Sequence, residues 1–172
     1  AALESAGMLD NSLLVFASDN GPVWFPADVE RFGHDSAGGL RGMKGDAWEA
    51  GHRMPFIVRW PGAVRAGSAC EQTISFTDVL ATLADAVGKD LPAGAGPDSF
   101  SFLPALRGRT SQRAPIVMQS GSSGFMTIRS GRWKLIEGLG SGGFSQPARI
   151  TAGPGEPAGQ LYDLVADPAE TT

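Results

Sequence analysis

The sequence is short of several things, and each shortage narrows what it can be. A single cysteine, Cys70, excludes an internal disulfide framework and leaves the redox compartment unread. Basic residues do not outnumber acidic ones: Lys+Arg 14 against Asp+Glu 18 gives a formal charge of −4, which excludes the cationic footprint of a nucleic-acid binder. The longest unbroken apolar run, Leu13, Leu14, Val15, Phe16 and Ala17, is far below the roughly 20 residues that span a bilayer. Position 1 is Ala, the first methionine is Met8, and no charged segment followed by an apolar one opens the chain. Residues 1–7 read as the last turns of a helix stopped by Gly7. The closing Asp167-Pro168-Ala169-Glu170-Thr171-Thr172 stops where another helix could begin. Both ends read as the interior of a longer protein, so the missing leader leaves location open.

What is present is a core-forming composition, 42% hydrophobic and 19% charged, in 172 residues. That is a little over one domain at about 150 residues each. Gly 24 and Pro 12 predict many turns and long loops. The run at 13–17, bounded by polar turn residues, reads as a strand buried on both faces, fed by a helix in an α/β arrangement. A short helix around 27–32 and a glycine-bearing loop at 38–45 follow, then a strand at 55–60 closed by Pro61-Gly62. Residues 75–87 form the clearest helix: Val79, Leu80, Leu83, Ala84 and Val87 share one face, Ser75 and Asp78 fit a capping box, and Gly88 supplies the stop. A helical turn is expected at 101–106.

After Arg109-Thr110-Ser111 the period changes from 3.6 to 2. Strands are expected at 115–119 and 160–164, with a hairpin at 125–136 around Ser130-Gly131. In the expected register Ile128 faces Trp133 and Met126 faces Leu135 on a buried side, leaving Thr127, Arg129, Arg132 and Lys134 on a wet one. The glycine-rich stretch 138–159 reads either as a pocket loop or as a surface excursion. The fold class is α/β: part of a mixed sheet flanked by helices at 1–110, plus a small antiparallel sheet subdomain at 111–172.

Asp19 and Asn20 directly follow a buried strand, where ligands of open α/β sheets bind. A carboxylate beside an amide carbonyl offers hard oxygen ligands for Ca²⁺ or Mg²⁺, although spacing alone favours a plain turn. Lys44, in a flexible glycine-flanked stretch, could bring a point charge to phosphate or sulfate, or be a solvated lysine. Glu49 and Arg53 have the spacing of a structural helix ion pair. His34 and His52 read as structural histidines that remain available for acid–base work, and Cys70 as an inert thiol.

The order of these pieces carries more than each piece. Leu14-Val15-Phe16-Ala17-Ser18-Asp19-Asn20-Gly21 is followed by Leu40-Arg41-Gly42-Met43-Lys44-Gly45-Asp46-Ala47-Trp48-Glu49-Ala50-Gly51-His52-Arg53-Met54-Pro55 and Phe56-Ile57-Val58-Arg59-Trp60-Pro61-Gly62. Next come Thr77-Asp78-Val79-Leu80-Ala81-Thr82-Leu83, Ile128-Arg129-Ser130-Gly131-Arg132-Trp133-Lys134-Leu135 and Leu161-Tyr162-Asp163-Leu164. This series resembles the sulfatase family, in its arylsulfatase branch, over nearly the whole chain.

The resemblance implies the C-terminal half of a calcium-dependent enzyme that hydrolyses sulfate esters. It implies that Asp19 and Asn20 are calcium ligands and that Lys44 contacts sulfate. It implies further that a formylglycine nucleophile, made in a Cys/Ser-x-Pro-x-Arg motif, lies in a missing N-terminal half. No such motif occurs here, since Cys70 precedes Glu71-Gln72-Thr73, and neither histidine matches a catalytic position of the family. The fragment is therefore expected to be inactive alone, with its missing half and a sulfate ester as partners, and the family implies a periplasmic or secreted protein. The competing expectations are a phosphoester or phosphonate hydrolase of the same superfamily, and a non-catalytic split-gene or pseudoenzyme product.

Overall fold

A computed structural model describes residues 2–121 and 124–172. Ala1, which belongs to the expected opening helix, lies outside the described residues. The chain divides into two compact units, one built from 2–16 with 56–114 and the other from 17–55 with 115–172. No helix among the described residues is long and apolar enough to cross a membrane.

The first unit opens with α1 (Ala2–Ser5), which ends at Gly7 with φ +65 and a hydrogen bond from Met8 N to Leu3 O of 2.9 Å. This is the left-handed glycine stop that the sequence predicts. β1 (Leu14–Ala17) pairs with β2 (Phe56–Arg59) in a two-stranded sheet. Val15 and Phe16 are exposed in this chain, where the sequence predicts a strand buried on both faces: among the described residues β2 is the other strand of its sheet and no layer covers them. α4 (Asp78–Ala86) and α5 (Leu103–Leu106) complete the unit, where the Phe56 ring meets Phe102 edge-on at 5.7 Å.

Asp78 organises this unit. Its buried carboxylate accepts a bidentate pair from Arg113 at 2.7 and 2.8 Å, and also bonds the backbone N–H groups of Ser75 and Phe100. Only the acidic half of the expected capping box forms, because the Ser75 hydroxyl turns to Thr77 instead. The apolar stripe is only partly covered: Val79 and Ala84 are half-buried, Leu80, Leu83 and Val87 are exposed, and Asp78 and Thr82 are the buried residues of the helix.

In the second unit, α2 (Pro26–Phe32) starts with proline in its first turn and ends at Gly33 in the left-handed region. A short helix, α3 (Glu49–His52), follows the lysine-bearing loop, where the spacing of Glu49 and Arg53 points to a helix-face ion pair. β3 (Ile116–Gln119), β4 (Met126–Ser130), β5 (Trp133–Ile136) and β6 (Gln160–Asp163) form an antiparallel sheet in that order. These strands lie where the change of period places them.

The hairpin register is shifted from the expected one. Ser130 pairs with Trp133 and Ile128 with Leu135, which leaves a two-residue loop with Gly131 at φ +57. The expected register left no residues for the turn. Its faces are also the reverse of those expected. Thr127, Lys134, Ile136 and Tyr162 are buried, with Ala47, Trp48 and Phe125 completing the core. Val117, Ile128, Leu135 and Leu161 form one cross-strand row on the open face, with Met126 and Trp133 beside it. Alternation specifies two faces without saying which is covered, and buried ion partners for Lys134 reverse the choice that hydrophobicity suggests.

An open apolar row of this kind promotes association. The chain expressed alone is expected to elute as oligomers on gel filtration. Combining Ile128→Lys with Leu135→Lys should move it toward monomer, and an unchanged profile would rule out this face as the cause.

Candidate functional site

Two backbone hydrogen bonds build the site. The Lys44 N–H donates to Pro22 O at 2.7 Å, and the Gly21 N–H donates to Gly51 O at 3.1 Å. They bind the segment after β1 to the loop between residues 40 and 52. Gly21 is required at this approach, since a Cβ there would lie 1.7 Å from Ala50 O. Gly143 is required in the same way, because a Cβ would lie 2.2 Å from Gly45 O.

The result is a cavity of about 320 Å³ lined by Asn20, Lys44, His52, Gln119, Phe144 and adjoining glycines. The structure therefore brings two of the three sequence-chosen residues, Asn20 and Lys44, to one cavity. Asp19 precedes Asn20, is exposed, and among the described residues its carboxylate meets the Ser18 hydroxyl at 3.4 Å. Among the described residues Lys44 has no carboxylate partner, and no group of three or more His, Cys, Asp or Glu side chains could hold a metal. Asp19 and Asn20 remain a pair of hard oxygen donors whose chemistry suits a hard cation but cannot complete its shell.

The stretch 138–159 contributes ordered wall. Ser141, Gly142 and Gly143 are buried, Ala47 N donates to Ser141 O at 2.6 Å, and the Ser145 N–H bonds the buried Asp46 carboxylate at 3.0 Å. Asp46 also accepts from the Met43 N–H at 2.8 Å, closing the turn that carries Lys44.

Beneath the loop lies a buried charge cluster that sequence reading missed. Lys134, with 0% exposure, lies 3.2 Å from Glu49 and 2.9 Å from Glu170, itself 0% exposed. Arg129 pairs with Glu49 at 3.0 Å, whereas the expected Arg53 partner is 3.9 Å away. Glu170 also accepts the Glu49 N–H at 2.5 Å, and its backbone sits at φ +54, an unfavoured region for a non-glycine that these contacts hold in place. Burial pushes the Glu170 carboxyl above its usual range, and Lys134 opposes the shift. Arg41 stacks on Trp48 at 3.7 Å and donates to Glu170 O at 2.6 Å. Those contacts occupy its guanidinium, so the wider cleft of about 440 Å³ that Arg41 lines with Gly39, Ala169 and Thr171 has no comparable free cation. A charged Glu49 within the apolar run Ala47-Trp48-Glu49-Ala50 is the one sequence signal of this cluster; nothing local marks Glu170.

His52, the last residue of α3, stands between this cluster and the cavity. Burial, reinforced by the Lys134 charge, lowers its imidazole to about 4, against opposing effects of Glu49, the Ala47 backbone and Asp46.

A family model described as Sulfatase matches residues 1–89. The N-acetylgalactosamine-6-O-sulfatase of Bacteroides thetaiotaomicron is 37% identical over 98% of the chain and 34% of that relative. The steryl-sulfatase of Mus musculus is 31% identical over 99% of the chain and 30% of that relative. A solved Bacteroides thetaiotaomicron structure, from work on the metabolism of multiple glycosaminoglycans, superposes with a TM-score of 0.82 at 38% identity. It covers 99% of this chain and 36% of its own. A sulfatase from Pseudoalteromonas sp. superposes with a TM-score of 0.70 at 27% identity, over 99% of this chain and 34% of its own. The chain spans about a third of the length of the relatives it matches.

Two expectations follow for the full-length protein. Lys134→Met should cost about 3–5 kcal/mol in denaturant unfolding, because it leaves the buried Glu170 carboxylate without its cation, while Glu49 keeps Arg129; a loss near zero would show the cluster to be energetically idle. His52 has a folded pKa below its ordinary 6.5, so its contribution to stability is complete above about pH 6.5 and is lost as pH falls toward 4. Melting temperatures measured across that window should fall less steeply in His52→Gln.

Proposed function

Because this chain belongs to the sulfatase family, we propose that it is the part of a calcium-dependent sulfate ester hydrolase that supplies one side of the metal site and a sulfate-binding cation. One observation carries the reading: Asn20 and Lys44, distant in sequence, line one cavity, and Lys44 enters it without a carboxylate partner among the described residues. A cation left uncompensated beside hard oxygen donors suits an anionic ligand shared with a metal.

In this proposal Asp19 and Asn20 hold calcium through a carboxylate and an amide oxygen. Six to eight oxygen ligands are usual for that ion, so further ligands come from elsewhere in the full-length protein. The ion when bound would neutralise charge on the ester oxygens. Lys44 supports the sulfate as a point charge, fixed by Pro22 and the Asp46 turn, and stabilises the charge that grows as the S–O bond breaks. The nucleophile belongs outside this chain, which contains no Cys/Ser-x-Pro-x-Arg motif.

In calorimetry of the full-length protein, Asp19→Ala and Asn20→Ala should each weaken calcium uptake at least about tenfold. Lys44→Ala should lower kcat/KM for an aryl sulfate by about 10²–10³. Identical calcium uptake in both ligand variants, or sustained aryl sulfate turnover by residues 1–172 alone, would defeat the proposal.

A further inference from the structure

We propose that Glu170 is a positioning residue for sulfate binding: it clamps both ends of the loop that carries Lys44, and so sets where that cation stands before the anion arrives. This rests on the reading of the cavity as the sulfate site. At one end of the loop the Arg41 guanidinium donates to the Glu170 backbone carbonyl at 2.6 Å. At the other the Glu49 N–H donates to the Glu170 carboxylate at 2.5 Å. The Ala50 N–H closes the stem onto Arg41 O at 3.0 Å, and Lys44 lies between the two clamped ends. Glu170 is 0% exposed, so it meets no ligand itself and acts only through what it holds.

The backbone of Glu170 bears the mark of this task. Its φ of +54 is the one positive value at a non-glycine among the described residues. A residue with a Cβ stays in that region only where its surroundings hold it there. In that conformation its carbonyl meets Arg41, while its carboxylate meets the Glu49 N–H and Lys134. The chain around it is wound to match: the Glu170 N–H donates to Asp167 O at 3.2 Å, and the Asp167 carboxylate accepts the N–H groups of Thr171 and Thr172 at 2.7 and 2.8 Å. Lys134 compensates the buried charge; the other two contacts both go to the lysine loop. Asp46 fixes that loop from within through the Met43 N–H, and Glu170 fixes its ends. With the ends released, the bonds from Lys44 N to Pro22 O and from Gly21 N to Gly51 O lose their fixed partners, and Lys44 shifts relative to Asn20. A cation that must reorganise to meet its anion gives up part of its attraction.

The test is a double-mutant cycle with Lys44→Ala in the full-length protein in calcium, read by calorimetric binding of inorganic sulfate. Glu170→Ala should weaken sulfate binding about tenfold, the size usual for losing an outer support of a ligand-binding group. In the Lys44→Ala background the same substitution should change binding by less than about twofold, because the group it positions is gone. Arg41→Met releases one end of the loop and leaves Lys134 between its two carboxylates. It should repeat the pattern, and it carries the cycle if Glu170→Ala does not fold. A loss of equal size with and without Lys44 marks a merely structural role and overturns the proposal. Unchanged binding in the variant used also overturns it, and leaves the Lys44 reading standing where Lys44→Ala itself weakens binding. No sulfate binding by the unmodified protein, or equal binding in Lys44→Ala, overturns the sulfate-site reading together with this one.

Discussion

Lys134 is buried completely and lies between two carboxylates from different segments of the second unit, Glu49 late in 17–55 and Glu170 near the close of 115–172. Removing an ammonium from water costs several kcal/mol, and here two carboxylates within 3.2 Å offset that cost. The arrangement determines which face of the antiparallel sheet is the inner one. It also seats α3, because Glu170 accepts the N–H of Glu49 at its first residue, and α3 ends in His52. Arg41 and Trp48 extend the same attachment to the beginning and middle of the lysine loop. The sheet, the loop and the closing segment are held as one set through buried charge.

The cavity follows from that frame together with glycine. Gly21 and Gly143 allow backbones to approach more closely than any side chain would permit, and backbone hydrogen bonds then fix Lys44 beside Asn20. A mobile lysine on a glycine-rich loop would lose much of its electrostatic value to reorganisation. Asp46 limits that loss by capping the turn from inside, at 0% exposure. In the proposed reading, positioning the Lys44 cation before the ligand arrives is what would allow it to stabilise developing charge.

The strands, the glycine helix stops and the ordered motifs were legible because each depends on neighbours in sequence: period, turn chemistry and the residue types in Asp19-Asn20 and the Lys44 loop. The sulfatase relationship was legible for the same reason, since the motifs recur in order. The faces of β4 and β5 were misread because hydrophobicity was the guide, and hydrophobicity cannot report an ion partner 85 residues away, as Glu49 is from Lys134. The apolar stripe of α4 was misread in part for the same reason: Leu80, Leu83 and Val87 are exposed, and the Asp78–Arg113 pair holds a polar side inward.

Local sequence determined the kinds of element, the donor atoms at Asp19 and Asn20, and the charge at Lys44, because covalent neighbours and side-chain chemistry are enough to specify them. Tertiary structure decided the rest: which sheet face is covered, which loop meets which, and the placing of His52, Gln119 and Phe144 around the same cavity. Those choices depend on pairing energies between residues tens of positions apart, and such energies exist only once the chain has folded.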